Sequence, residues 1–291
     1  MPREKRGGGV VRPRSKAILT LLIVSLMWST SGYFLILIDW NPIAITGTRS
    51  AIALIPMIIM FGKPRLPKSP PAIIASICFA TTMLLFVTAN QMTNAANVIL
   101  LQYTAPIYVA FMAAWLLKER LRKEDIITLL IVMIGLALFF LDDLDFRGMW
   151  GNILALISGF TLAGMSVCIR MLKDSHIRPA DAIMWGNILS AVIAIPFIFI
   201  YGLPAPVAWL WMGFLGLFQL GLSYCLYVRA VKHVTALELS LIPIVETFFN
   251  PLIVAVFAFQ IPGVYAIIGG VAVVSAVTWN LVSKERYQSA A

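Results

Sequence analysis

The chain has 291 residues, of which 60% are hydrophobic and 12% charged, and its formal net charge is +9. So few charges exclude an ordinary soluble domain, where about a quarter of residues are charged. A basic surplus in a soluble protein would suggest nucleic acid, but here the cations follow the alternation of apolar runs, which excludes that reading.

Ten apolar runs fall near 17–38, 42–62, 71–92, 95–117, 125–141, 149–171, 180–201, 206–230, 236–259 and 262–282. Runs of about 20 residues, rising roughly 1.5 Å per residue as helix, cross a hydrocarbon core of about 30 Å. Residues 1–16 carry Arg3, Lys5, Arg6, Arg12, Arg14 and Lys16 in a Gly- and Pro-containing stretch, read as a flexible basic tail. The first run is too long for a secretory signal core and lacks a small-residue cleavage site, so it is expected to remain as a helix. Along it Ser25, Trp28, Ser29 and Gly32 recur at helical spacing and form one stripe. Arg49 lies inside the second run, and Lys63, Arg65 and Lys68 follow it. Thr81 sits mid-way along the third run, while Gln102 and Pro106 share a face of the fourth. Lys118, Arg120, Arg122 and Lys123 come next, and after the fifth run the connection 142–148 holds a single cation, Arg147.

Thr161 stands mid-way along the sixth run, which leads to Arg170, Lys173 and Arg178. Gln219, Ser223 and Tyr227 share a face of the eighth run, ahead of Arg229 and Lys232. The ninth has Glu238 near its start, then Glu246 and Asn250 on one face between Pro243 and Pro251. The tail 283–291 contains Lys284 and Arg286.

Basic connections alternate with connections that have almost no cations, and basic residues stay on the cytoplasmic side. The pattern predicts an all-α integral membrane protein with ten transmembrane helices and both termini cytoplasmic, in a bacterial-type inner membrane. Anionic inner-leaflet lipid is its natural bilayer partner. Trp40, Trp115, Trp150, Trp209, Trp211 and Trp279 fall at interfacial belt positions, whereas Trp28 is central. Cys78, Cys168 and Cys225 lie singly inside runs and are read as packing residues. His176 and His233 sit in connections, so no metal is expected. Short connections leave no room for a soluble catalytic domain, and neither a phosphate loop nor HExxH occurs. No cofactor and no enzymatic activity are expected. Small residues at Ala110 and Ala114, and at Ala266 and Gly270, fit close helix packing within a monomer or, alternatively, a homodimer.

The second half of the chain echoes the first. With an offset of 141 residues, 86–120 overlies 227–261, matching Ala89 with Ala230, Ala95 with Ala236, Leu100 with Leu241 and Ala114 with Ala255. The stretch 42–56 similarly resembles 179–196. Five helices per half is an odd number, so the second half enters the membrane from the opposite side. Such inverted repeats exchange inward-open and outward-open shapes around a midplane site, which favours a carrier over a channel or an enzyme.

The stretches YTAPIYVAFMAAWLLKERL (103–121), LMWSTSGYF (26–34) and NPIAITGTRSAIALIPMI (42–59) resemble the EamA-type transporters of the drug/metabolite transporter superfamily. PIVETFFNPLIVAVFAFQIP (243–262) matches that pattern less closely. The chain departs from it where Ala105-Pro106 replaces an acidic-Pro pair and where Lys118-Glu119 and Phe259-Gln260 stand in place of Gly-Glu. The resemblance implies ten helices in two five-helix repeats, 17–141 and 149–282, joined by an extracytoplasmic connection at 142–148. It also implies export as the direction of transport.

Ionisable side chains inside apolar runs single themselves out, because each costs about 2.5–3.5 kcal/mol to place at the bilayer centre. Arg49 is expected to hold a substrate carboxylate or phosphate, or alternatively to pair with helix carbonyls. Glu246 is expected to serve as a proton-coupling group or a selector for amines, since burial favours a neutral carboxyl; the alternative is a satisfied partner for Arg49 or for a Ser or Thr on another helix. With Trp28, Ser29, Gln102, Thr161, Gln219, Tyr227 and Asn250 they form the expected substrate-binding set at one depth. The function expected is secondary active export of a small amphipathic or zwitterionic metabolite, such as an amino acid, by alternating access. The alternatives are an importer or exchanger of a nucleobase or vitamin, a membrane-embedded lipid-modifying enzyme, and a non-transporting scaffold.

Overall fold

A computed structural model describes residues 13–93, 95–141, 148–249 and 263–290 of the chain. Its helices are α1 (Pro13–Ser29), α2 (Ser31–Ile36), α3 (Pro42–Phe61), α4 (Pro70–Met92), α5 (Ala95–Gln102), α6 (Ala105–Met112) and α7 (Lys123–Phe139) in the N-terminal part. The C-terminal part has α8 (Met149–Met171), α9 (Pro179–Tyr201), α10 (Pro206–Phe214), α11 (Ser223–Ala230), α12 (Ala236–Leu241) and α13 (Val264–Ala290). A π-helical stretch, Leu215–Leu222, joins α10 to α11. A 3-10 turn, Ile242–Val245, follows α12, and residues 246–249 are helical again. No strand occurs among the described residues.

Local sequence explains the boundaries. Pro42, Pro70, Pro179 and Pro206 open their helices in the first turn, where a missing N–H leaves no bond unmade. Asn41 caps α3 by accepting from the N–H groups of Ile43 at 3.0 Å and Ala44 at 3.1 Å. The stretch read as the first run is two helices, α1 and α2, meeting at Thr30. Helix α1 starts at Pro13, within the stretch 1–16 expected to be a tail. Among the described residues, seven helical stretches are long and apolar enough to cross a membrane. Helices α1 and α7 have 17 residues each.

The outer surface carries the large apolar residues: Ile59 and Trp115 are each 80% exposed and Phe199 83%. Small polar groups such as Ser25, Ser50, Thr128, Ser158, Asn187 and Ser190 are fully buried. That arrangement suits hydrocarbon as the solvent, where helices associate through close packing and hydrogen bonds rather than through burial of apolar surface.

The main helix pairs join the two parts of the chain. Helix α3 packs on α9, α4 on both α8 and α9, α7 on α13, α1 on α11, and α5 and α6 on α8. Gly47 permits the first of these approaches, since a Cβ there would lie 2.0 Å from Ala194 Cβ. The pairing is reciprocal: α4 on α8 is matched by α11 on α1, and α4 on α9 by the Leu215–Leu222 stretch on α3.

Candidate functional site

Two helices are interrupted at corresponding places. Between α5 and α6 the chain turns at Tyr103 and Thr104, just before Pro106, which has no N–H to continue the ladder. Helix α8 comes close to this break, so a Cβ on Gly159 would lie 2.8 Å from the Gln102 carbonyl oxygen. After α12, Pro243 lies in the 3-10 turn that ends at Val245, next to Glu246. Backbone breaks of this kind are tolerated where they line a cavity or are buried in protein.

A cavity of about 150 Å³ lies between the two breaks. Trp28, Arg49, Gln102, Gln219, Tyr227 and Glu246 line it, together with Tyr103, Thr82, Ser166 and Tyr224. Six of the expected residues therefore meet in one place. Ser29 does not line the cavity, and its hydroxyl donates to the Leu26 carbonyl at 2.7 Å. Thr161 stands one layer back, where its hydroxyl lies 2.7 Å from that of Thr82 and 3.0 Å from the Ser158 carbonyl. Asn250 lies outside the described residues.

The charged members differ in their partners. Arg49 is only 6% exposed, forms no ion pair among the described residues, and its Nε has no hydrogen-bond partner there. It does not pair with Glu246. Glu246 instead accepts a hydrogen bond from the Tyr103 hydroxyl, contributed by the opposite half of the chain. Gln219, in the π-helical stretch, has a buried Oε1 without a partner among the described residues. A π-helical turn shifts side chains relative to a regular helix and often marks a functional position.

The remaining members are already satisfied. The Trp28 indole N–H donates to Ser223 Oγ at 2.8 Å, and its ring lies 5.2 Å from that of Tyr224 and 5.8 Å from that of Tyr227. Gln102 Nε2 donates to Ser158 Oγ at 2.7 Å. The Tyr227 hydroxyl donates to Ser166 Oγ at 3.4 Å. The cavity thus has an aromatic wall and a cation without a counter-ion among the described residues. The Glu246 carboxyl group sits across it, held by the Tyr103 phenol. No cluster of metal-ligating side chains occurs among the described residues.

The chain belongs to the EamA-like transporter family of the drug/metabolite superfamily, whose model matches residues 15–141 and 149–282. It is thus a multi-pass membrane protein of a transporter family. It is similar to an uncharacterized transporter of Archaeoglobus fulgidus, 24% identical over 165 residues, or 57% of this chain and 59% of that protein. It is also similar to the uncharacterized transporter YoaV of Bacillus subtilis, 21% identical over 259 residues, covering 81% of this chain and 87% of that one. A solved crystal structure with 18% identity superposes with a TM-score of 0.79 over 91% of this chain and 96% of that one, a likeness of fold.

Sequence reasoning did not identify Tyr103, Thr82, Ser166 or Tyr224. Tyr103 and Tyr224 lie in apolar runs whose pattern a tyrosine does not break. Thr82 had a signal: at the offset that aligns the halves, it overlies Ser223.

Proposed function

We propose that this protein is a secondary active carrier that exports a small amphipathic or zwitterionic metabolite, such as an amino acid, through the cavity between its halves. The observation that carries the reading is Arg49, a buried cation without a counter-ion among the described residues, in the same cavity as Glu246. A guanidinium offers a fork of donors to a carboxylate, and its burial leaves the charge to be satisfied by a ligand. Glu246 receives the amine of the substrate or a coupled proton, which displaces the Tyr103 hydroxyl. Trp28, Tyr224 and Tyr227 form the apolar wall.

Alternating access is supported by paired contacts. Trp28 bonds to Ser223 as Thr161 bonds to Thr82, each linking the leading helix of one half to the other half. Ser158 receives Gln102 at the first break, while Ser25 Oγ lies 3.3 Å from the Ile242 carbonyl at the second. These likenesses favour two inverted five-helix repeats, and with them the ten-helix layout, cytoplasmic termini and inner-membrane location that the charge pattern suggests.

The reading is tested by thermal stability of the purified protein across a panel of metabolites, followed by counterflow from loaded vesicles. A transported ligand raises the apparent melting temperature by binding the folded state, and Glu246→Gln removes that shift while remaining folded. A panel of amino acids that neither shifts melting nor exchanges across vesicles rejects the substrate class.

A further inference from the structure

We infer that the end of the bundle carrying both termini is closed by an ionic seal between the halves, which must part before the cavity can open on that side. The inference rests on the carrier reading above and concerns residues outside the cavity.

Three acidic groups at this end, Glu119, Asp125 and Glu238, each meet a cation from the opposite half. The Arg14 guanidinium of α1 pairs with Glu238 of α12 at 2.5 Å. Lys284 of α13 pairs with Asp125 of α7 at 2.8 Å, and its Nζ lies 3.7 Å from Glu238. Arg170 of α8 pairs through Nε with Glu119 at 3.1 Å. Positive and negative members are equal in number, so the set is neutral as a unit. Glu238, Asp125, Arg170 and Lys284 are all buried.

Further bonds fasten the charges to backbone on both sides. Glu119 accepts through Oε2 from the N–H of Ala236 at 2.9 Å, which ties the first half to the start of α12. Arg170 Nη1 donates to the Val231 carbonyl at 2.7 Å. Glu238 also closes the capping box of α12, accepting from the N–H of Thr235 at 2.9 Å. Asn280 Nδ2 donates to Asp125 at 2.9 Å. The helix that α12 begins leads directly to Pro243 and Glu246 in the cavity. A seal anchored on α12 is therefore mechanically continuous with the binding site.

At the opposite end, the contacts between the halves among the described residues include neutral ones. Asn97 is the counterpart of Glu238 at the 141-residue offset. It donates through Nδ2 to Asn152 Oδ1 of the other half at 3.2 Å, and Thr93 donates to the same oxygen at 3.0 Å. Neutral amide and hydroxyl contacts exchange readily with water. Buried ion pairs part only when every charge is rehydrated together, and losing one partner strands the other. The ionic contacts thus bias the resting carrier toward being shut at the end that bears the termini. No disulfide, ligand or modification is needed for this bias.

The test follows access to the cavity rather than transport. Ser240, which lines the cavity, is replaced by cysteine in a chain whose native Cys78, Cys168 and Cys225 are changed to alanine. Labelling by a membrane-impermeant maleimide is timed from each face in oriented vesicles. The intact seal gives slow labelling from the face with the termini, and Glu119→Gln or Arg170→Gln speeds it by about tenfold or more. The exchanged pair Glu119→Arg with Arg170→Glu restores the slow rate, which a merely loosened fold would not do. Unchanged rates in variants that melt within a few degrees of the parent overturn the seal and leave the carrier reading standing. Labelling from neither face in any variant overturns both, because the cavity is then not an access route.

Discussion

The Trp28 indole donates to Ser223 Oγ at 2.8 Å, and this bond has a counterpart at 2.7 Å between Thr161 and Thr82 in the other half of the molecule. Each joins a leading helix of one half to a later helix of the other, beside the cavity. A single tryptophan on one side and a threonine on the other make the cavity chemically lopsided although the backbone is paired. Trp28→Phe and Ser223→Ala should each lower stability by about 0.5–1.5 kcal/mol, the net value of a lost hydrogen bond. The double variant should lose less than the sum of the two. Additive losses in a double-mutant cycle would show that the bond is not made.

Arg49→Met separates a ligand-binding cation from a structural one. An unpaired buried charge is a burden on the folded state, so the thermal midpoint of the unliganded variant should equal or exceed that of the parent. Its response to carboxylate-bearing ligands should vanish. A variant that melts markedly earlier without any ligand would make Arg49 a structural residue.

Tyr103→Phe keeps the ring and removes the donor to Glu246. Leaving that carboxyl without its partner should cost about 1–3 kcal/mol of stability in the absence of substrate. A ligand amine that satisfies Glu246 recovers the loss, so the variant's ligand-induced shift in melting should be larger than the parent's. An equal or smaller shift would separate Tyr103 from substrate binding.

Gly47→Val tests the α3–α9 contact. The new Cβ would sit 2.0 Å from Ala194 Cβ and 3.0 Å from the Ser190 carbonyl, so the helices must move apart. A loss of about 1–3 kcal/mol is expected, as for overpacked interiors. Ala194→Gly in the same chain should recover part of it, read by denaturation in detergent.

The residues that were legible in the sequence are those whose chemistry conflicts with their surroundings. Arg49 and Glu246 stand out because ionisable groups are rare in apolar runs, and Gln102 and Gln219 because amides there need a partner. Trp28 was legible from its depth alone. Tyr103 was not, because a tyrosine inside an apolar run keeps the helical pattern, and the break after Gln102 leaves no change of period. Its one mark is Pro106, whose missing N–H loosens the turn before it. Ser29 and Thr161 show the limit of face arithmetic. Both lie at the right depth, yet each spends its hydroxyl on a neighbouring carbonyl or side chain behind the cavity wall. The alternation of basic connections does not reveal that Glu119, Asp125 and Glu238 meet cations of the opposite half, since sequence spacing does not tell which helices are neighbours.

The pairing of α3 with α9, α4 with α8 and α9, and α7 with α13 has a consequence for biogenesis. A ribosome that has delivered residues up to 141 has made helices whose principal neighbours do not yet exist. Until synthesis reaches α9, the notch at Gly47 lacks the Ala194 and Ser190 it packs against. Helices so placed wait for distant segments, and contacts far apart in the chain form slowly. The packing of the first half is therefore completed by segments that are made later.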